Sequence, residues 1–152
     1  MIRRLRVVTY ICVLSLGLLG GCTGSIGSAS SNGGPFYTAT SSILPGEDIG
    51  LRLVNQTEMS LRYNLCRSTV QRRSEGDWVS VNLNRACPDV RFRLAPTETA
   101  AFDLPTPMSL PPGTYRVLTP VSYEDREMQT LRTGEFQVAA DPSRSEASTS
   151  SP

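Results

Sequence analysis

The sequence predicts an all-β domain, one antiparallel sandwich of about seven to eight strands, and three observations carry that prediction. Apolar residues recur with a period of two in short runs between residues 49 and 138, clusters of Pro, Gly, Asn and Asp separate the runs, and no window of about a dozen residues keeps a helical stripe. A period of two places alternate side chains on one buried face, whereas a helix needs apolar residues three and four apart. About seven or eight short strands in about 100 residues form one sandwich and not two domains.

Taken in chain order, residues 1–21 stand outside that domain. MIRRLR is a basic leader, and Val7 to Leu19 is a mainly apolar, uncharged run of 13 residues followed by Gly20, Gly21 and Cys22. At about 1.5 Å per residue such a run covers only about 20 Å of a bilayer core roughly 30 Å thick, so it reads as a cleaved export signal and not as a permanent span. Leu19, Gly20, Gly21 and Cys22 resemble the lipobox of bacterial lipoproteins. That resemblance implies diacylglyceryl transfer to the Cys22 sulfur, cleavage between Gly21 and Cys22, and acylation of the new amino terminus. Two or more acyl chains anchor a soluble domain stably where one binds marginally. The implied location is the bacterial cell envelope. Thr23 stands where an inner-membrane retention signal would have Asp, which points to an outer membrane facing the periplasm in a Gram-negative cell. Arg3 and Arg4 lack the flanking residues of a twin-arginine signal.

Residues 22–35 comprise the lipidated cysteine and a Gly/Ser-rich tether, TGSIGSASSNGGP, which buries no core and spans on the order of 20 Å as a flexible coil. The sandwich is expected over residues 36–140. Ile49, Leu51 and Leu53 form the first alternating run, and Met59, Leu61, Tyr63 and Leu65 the second. Val79, Val81 and Leu83 follow, then Phe92 with Leu94, then Ala100, Phe102 and Leu104. Tyr115, Val117 and Thr119 make the next run, and Phe136 with Val138 closes the series. PGED at 45–48, NQTE at 55–58, SEGD at 74–77, APTE at 95–98 and PPGT at 111–114 supply the turns between them. NQT at 55–57 reads as an ordinary turn despite its sequon-like pattern. Residues 141–152, DPSRSEASTSSP, are small and polar and read as a disordered tail.

The order of PGEDIGLRLVNQT, YNLC, QRRSEGDWVSV, ACP, LPPGTYRV and GEFQV resembles the bacterial immunoglobulin-like domains of secreted and lipid-anchored proteins. The resemblance spans nearly the whole expected sandwich and implies an immunoglobulin-like fold, which by itself assigns no task. Tyr115 falls where such sandwiches place a tyrosine corner; a plain core tyrosine on a strand is the other reading.

Composition narrows the chemistry. The 15 basic residues are all Arg, with neither Lys nor His; loss of Arg3, Arg4 and Arg6 with the signal leaves 12 against 14 carboxylates, a net of minus two. A mature chain so close to neutral has no global attraction for nucleic acid, so none is expected as a partner. Without His or Lys, the usual bases that activate Ser, Cys or Thr are missing, and the scattered carboxylates read as solvated surface. No CxxC, GxxxxGK[ST] or GxGxxG motif occurs, so no metal, nucleotide or other cofactor is expected, and the chain reads as a non-enzyme. With Cys12 in the signal and Cys22 lipidated, Cys66 and Cys87 remain, and an even pair in an exported domain is expected to form a disulfide.

One stretch has binding character. Six arginines lie between Arg67 and Arg93 against Glu75, Asp77 and Asp89, and Arg72, Arg73, Trp78, Arg91 and Arg93 are the candidate patch. Arg and Trp dominate binding hot spots through planar hydrogen bonding and large buried area. The alternative for the arginines is solvated edge protection, and for Trp78 a place in the core. The expected role is a lipid-anchored module that binds an envelope protein or an anionic glycan or lipid. A protease inhibitor presenting SEGD at 74–77 and SYEDREM at 122–128 is the second reading.

Overall fold

A computed structural model describes residues 34–123 and 127–140. Gly21, Cys22, the tether up to residue 33 and the tail from residue 141 lie outside the described residues.

The described chain forms two β-sheets packed face to face. The smaller has three strands in the order β1 (Phe36–Thr38), β3 (Ile49–Val54) and β8 (Thr99–Leu104). The larger runs β2 (Ser42–Ile43), β11 (Phe136–Val138), β9 (Gly113–Tyr123), β4 (Leu61–Tyr63) and β7 (Phe92–Leu94). β5 (Thr69–Ser74) joins it along β9, β6 (Asp77–Val81) pairs with β5, and β10 (Gln129–Arg132) also pairs with β9. A single 3-10 turn, Leu65–Arg67, follows β4.

Alternation is what builds this core. Ile49, Leu51 and Leu53 turn inward from the smaller sheet to meet Leu61, Val70, Tyr115, Val117, Val121 and Phe136 from the larger, all but fully enclosed. The outward residues of β3 are Gly50, Arg52 and Val54, and Arg52 reaches Asp103 of β8 at 3.7 Å on the exposed side.

β9 is the spine of the larger sheet. Along one edge it pairs with β11 and then β10; along the other it pairs with β5 through Tyr115–Leu118 and with β4 through Val121–Tyr123. Pro120 lacks an amide donor, which usually bars it from a central strand. The Val117 N–H bonds Thr133 Oγ1 on the β10–β11 edge, so alternation turns the Pro120 nitrogen to the opposite edge. There it falls in the gap between β5 and β4, where no ladder bond is lost.

The runs identified by alternation coincide with β3, β4, β6, β7, β8, β9 and β11, and β5 is the first arm of the SEGD hairpin. Three further strands, β1, β2 and β10, lie outside those runs: β2 (SI) and β10 (QTLR) each carry a single apolar residue and so present no alternation, and β1 is only Phe36, Tyr37 and Thr38. Two inward positions differ from expectation: Val79 is 53% exposed and Phe92 48% exposed. Their alternation phase is right, since Val79 follows Val81 and Phe92 follows Leu94. They are uncovered because a three-stranded sheet cannot roof the whole inner face of the larger one, and both sit on its outlying strands, β6 and β7.

Candidate functional site

The SEGD segment closes β5 onto β6 as a tight turn. Glu75 and Gly76 both take positive φ, 51° and 98°, with Ser74 paired to Asp77. This is the pattern of a type I′ hairpin, whose twist matches that of its strands and whose second position favours Gly. Val70 is buried, so Gln71 and Arg73 of the same strand point to the outer face. Trp78 is the cross-strand partner of Arg73 and shares that face.

Trp78 is therefore not part of the core between the sheets. It is half-buried, with the Arg116 guanidinium 4.1 Å from its ring centroid. Arg116 is itself oriented by a hydrogen bond from its Nε to Gln71 Oε1 at 2.8 Å, and Arg73 approaches Glu135 at 3.9 Å. An exposed cation–π contact contributes about 0.5–1 kcal/mol. The result is a platform of one indole and two guanidiniums carried by the paired strands β5, β6 and β9.

Arg72 does not join that platform. It lies on the opposite face of β5, where its Nη2 donates to the Pro112 carbonyl at 3.0 Å. Tyr115 is fully buried and its hydroxyl donates to the Pro111 carbonyl at 2.6 Å, four residues upstream, so of its two readings the tyrosine corner is correct. Together Arg72 and Tyr115 tie down the PPG turn. Burial raises the Tyr115 phenol above its ordinary pKa, with the Arg72 charge opposing the rise. A raised folded-state pKa makes the contribution full below the unfolded value near 10 and lost as pH climbs through the folded value. Tyr115→Phe is expected to cost about 1 kcal/mol at pH 7 and to flatten the alkaline loss of stability. Urea unfolding of both proteins at pH 7 and pH 10.5 checks this.

The remaining predicted arginines gather elsewhere. Arg93 on β7 is the cross-strand partner of Arg62 on β4, on the outer face opposite the buried pair Leu61 and Leu94. Arg91 and Arg62 line a cavity of about 340 Å³ together with Arg67, whose Nη1 bonds Asp89 at 2.6 Å. The predicted patch is thus not brought together: Arg73 and Trp78 belong to the indole platform, Arg91 lines the cavity, Arg93 stands across from the cavity's Arg62, and Arg72 joins neither.

Cys66 and Cys87 form a disulfide with a Cα separation of 5.7 Å. Around it, Arg85 donates from Nε to the Cys66 carbonyl at 2.7 Å and from Nη2 to the Ser68 carbonyl, and burial lowers its pKa. Asn64 Nδ2 donates to the Pro88 and Val90 carbonyls at 2.9 and 2.8 Å. These bonds fix the irregular 82–91 segment that carries Arg91. Sequence reasoning points to neither Arg62 nor Arg116, and counts Arg85 among the six arginines of the 67–93 stretch without placing it in the patch. Nor does it single out Asn55, which is fully buried and joins the 57–59 turn to Leu94. Of the two inhibitor loops, SEGD is the closed turn above, and residues 124–126 of the other lie outside the described residues.

A family model described as a bacterial Ig-like domain matches residues 36–138. No curated protein matches the chain.

Proposed function

We propose, from the premise that the chain belongs to the bacterial Ig-like domain family, that it is a lipid-anchored, non-enzymatic module of the cell envelope. It binds an envelope protein or another envelope component through the outer face of its larger sheet. The anchor rests on the lipobox at Leu19–Cys22 and on the Gly/Ser tether that follows it. The observation that carries the binding reading is Trp78, held half-buried on an outer face by Arg116 with Arg73 beside it. An indole left outside a completed core gives up burial that the fold could have used, and indoles and guanidiniums are the groups that dominate interface hot spots.

Two measurements test the two halves. Cys22→Ala abolishes palmitate incorporation and releases the mature domain from membranes; label that persists in the variant contradicts the anchor. Crosslinked envelope extracts yield a reproducible partner with the parent chain, and at least tenfold less of it with Trp78→Ala. Equal recovery with both contradicts the platform as the binding surface.

A further inference from the structure

The larger sheet carries a second feature, independent of Trp78. Arg62 and Arg93 stand directly opposite each other on neighbouring strands, an arrangement of like charges that destabilises a sheet. Among the described residues, ion pairs are made by Arg52, Arg67 and Arg73, and by none of Arg62, Arg91 and Arg93. Beside this pair lies the cavity of about 340 Å³, whose lining includes Arg62, Arg67 and Arg91 together with Val90, Pro120 and Met128. Val90 and Met128 are 48% and 59% exposed, so the apolar wall is open to a ligand. A like-charge pair with no compensating ion pair among the described residues is the kind of local rule violation expected at a functional site.

We propose that this cavity binds a phosphate ester with a small organic body. The inference rests on the chain being a binding module and names the ligand class of a second site on the same sheet. Guanidinium forks bond oxyanions through paired N–H groups. A tetrahedral phosphate monoester offers three acceptor oxygens to the Arg62 and Arg91 guanidiniums against the two of a planar carboxylate, Arg67 being bonded to Asp89, and its greater charge offsets the Arg62–Arg93 repulsion. Pockets of about 300–1,000 Å³ hold whole small molecules and not only a bare ion, and the Val90, Pro120 and Met128 wall suits the carbon skeleton. Asn64 holds the Val90 carbonyl at 2.8 Å, so the arginine on the next residue is presented by a fixed backbone.

The test is thermal unfolding of the full chain in neutral detergent with glycerol 3-phosphate, against sodium chloride at equal ionic strength. The expected result is a saturable rise in Tm of about 5–10 °C with the ester and none with chloride. Arg62→Gln, which relieves the like-charge pair, unfolds at the parent temperature or above it without ligand and loses the ester-dependent rise. Arg91→Gln loses the rise as well. Dihexanoylphosphatidylglycerol acting at lower concentration than glycerol 3-phosphate assigns the phosphate to a lipid headgroup; the reverse order assigns it to a soluble or polymer-borne ester. An equal rise with chloride, a rise retained in Arg62→Gln, or a larger rise with polyglutamate overturns the proposal, the last in favour of an acidic protein surface. Failure here leaves Cys22 lipidation and Trp78-dependent capture intact. Loss of those with the ester effect preserved removes the proposed function and leaves this site.

Discussion

Removing the Cys66–Cys87 bond, by reduction or as Cys66→Ala with Cys87→Ala, lowers the unfolding free energy by about 3 kcal/mol. The two cysteines lie 21 positions apart, so the bond closes a loop holding the entire β5–β6 hairpin and restricts the unfolded chain accordingly. The folded state loses as well. Residues 82–91 form no strand and are held to the 64–68 segment by the disulfide, by Arg85 and by Asn64. With the bond gone, the β5–β6 and β5–β9 ladders still hold the hairpin, while the 82–91 segment keeps only the bonds of Arg85 and Asn64 and loosens first. A single domain of this size has about 5–15 kcal/mol in total, which makes the loss a large fraction. Urea unfolding with and without reductant measures it, and a midpoint unchanged by reduction contradicts the clamp.

Asn55→Ala costs about 3 kcal/mol, and Asn55→Asp costs more. The Asn55 side chain is fully buried; its Nδ2 donates to the Met59 carbonyl at 2.8 Å and the Leu94 carbonyl at 3.1 Å, and its Oδ1 accepts from the Thr57 amide and hydroxyl. Alanine leaves the buried Leu94 carbonyl without a partner, at a cost of about 1–3 kcal/mol before the smaller losses at the turn. Aspartate keeps the acceptor but replaces the donor with a charge facing two carbonyl oxygens in a dry site. Burial raises the carboxyl pKa above its unfolded value, so Asn55→Asp recovers stability as pH falls and loses it as pH rises. Equilibrium unfolding at pH 4.5 and pH 7.5 reads out the sign, and an aspartate variant as stable as the alanine variant at pH 7.5 contradicts the buried network.

The same period-two rule that made the core legible also held information about polar residues. Counting on from Ile49, Leu51 and Leu53 puts Asn55 on the inward face, yet its place in a turn-like NQTE masked the phase. Arg72 and Arg73 are neighbours on one strand and must face opposite ways, so their separation was legible too. What could not be read is anything that depends on long-range register. Arg62 meets Arg93 because β4 pairs with β7 at one offset, and a slip of β7 by one residue would turn Arg93 inward. Arg116 meets Trp78 only because β5 lies between β6 and β9. Val79 and Phe92 follow the same logic in reverse: alternation gave their face, but the width of the opposing sheet decided whether that face was covered.

The claim on which the functional account depends is that a thioether-linked lipid at Cys22 holds this disulfide-closed domain at the envelope. Intact-mass spectrometry of the chain purified from membranes tests it most directly. The account predicts a chain beginning at Cys22, heavier by a diacylglyceryl group and an amide-linked acyl chain, with no thiol available to alkylation before reduction. A chain that retains residues 1–21, or one that begins at Cys22 with an unmodified thiol, contradicts it.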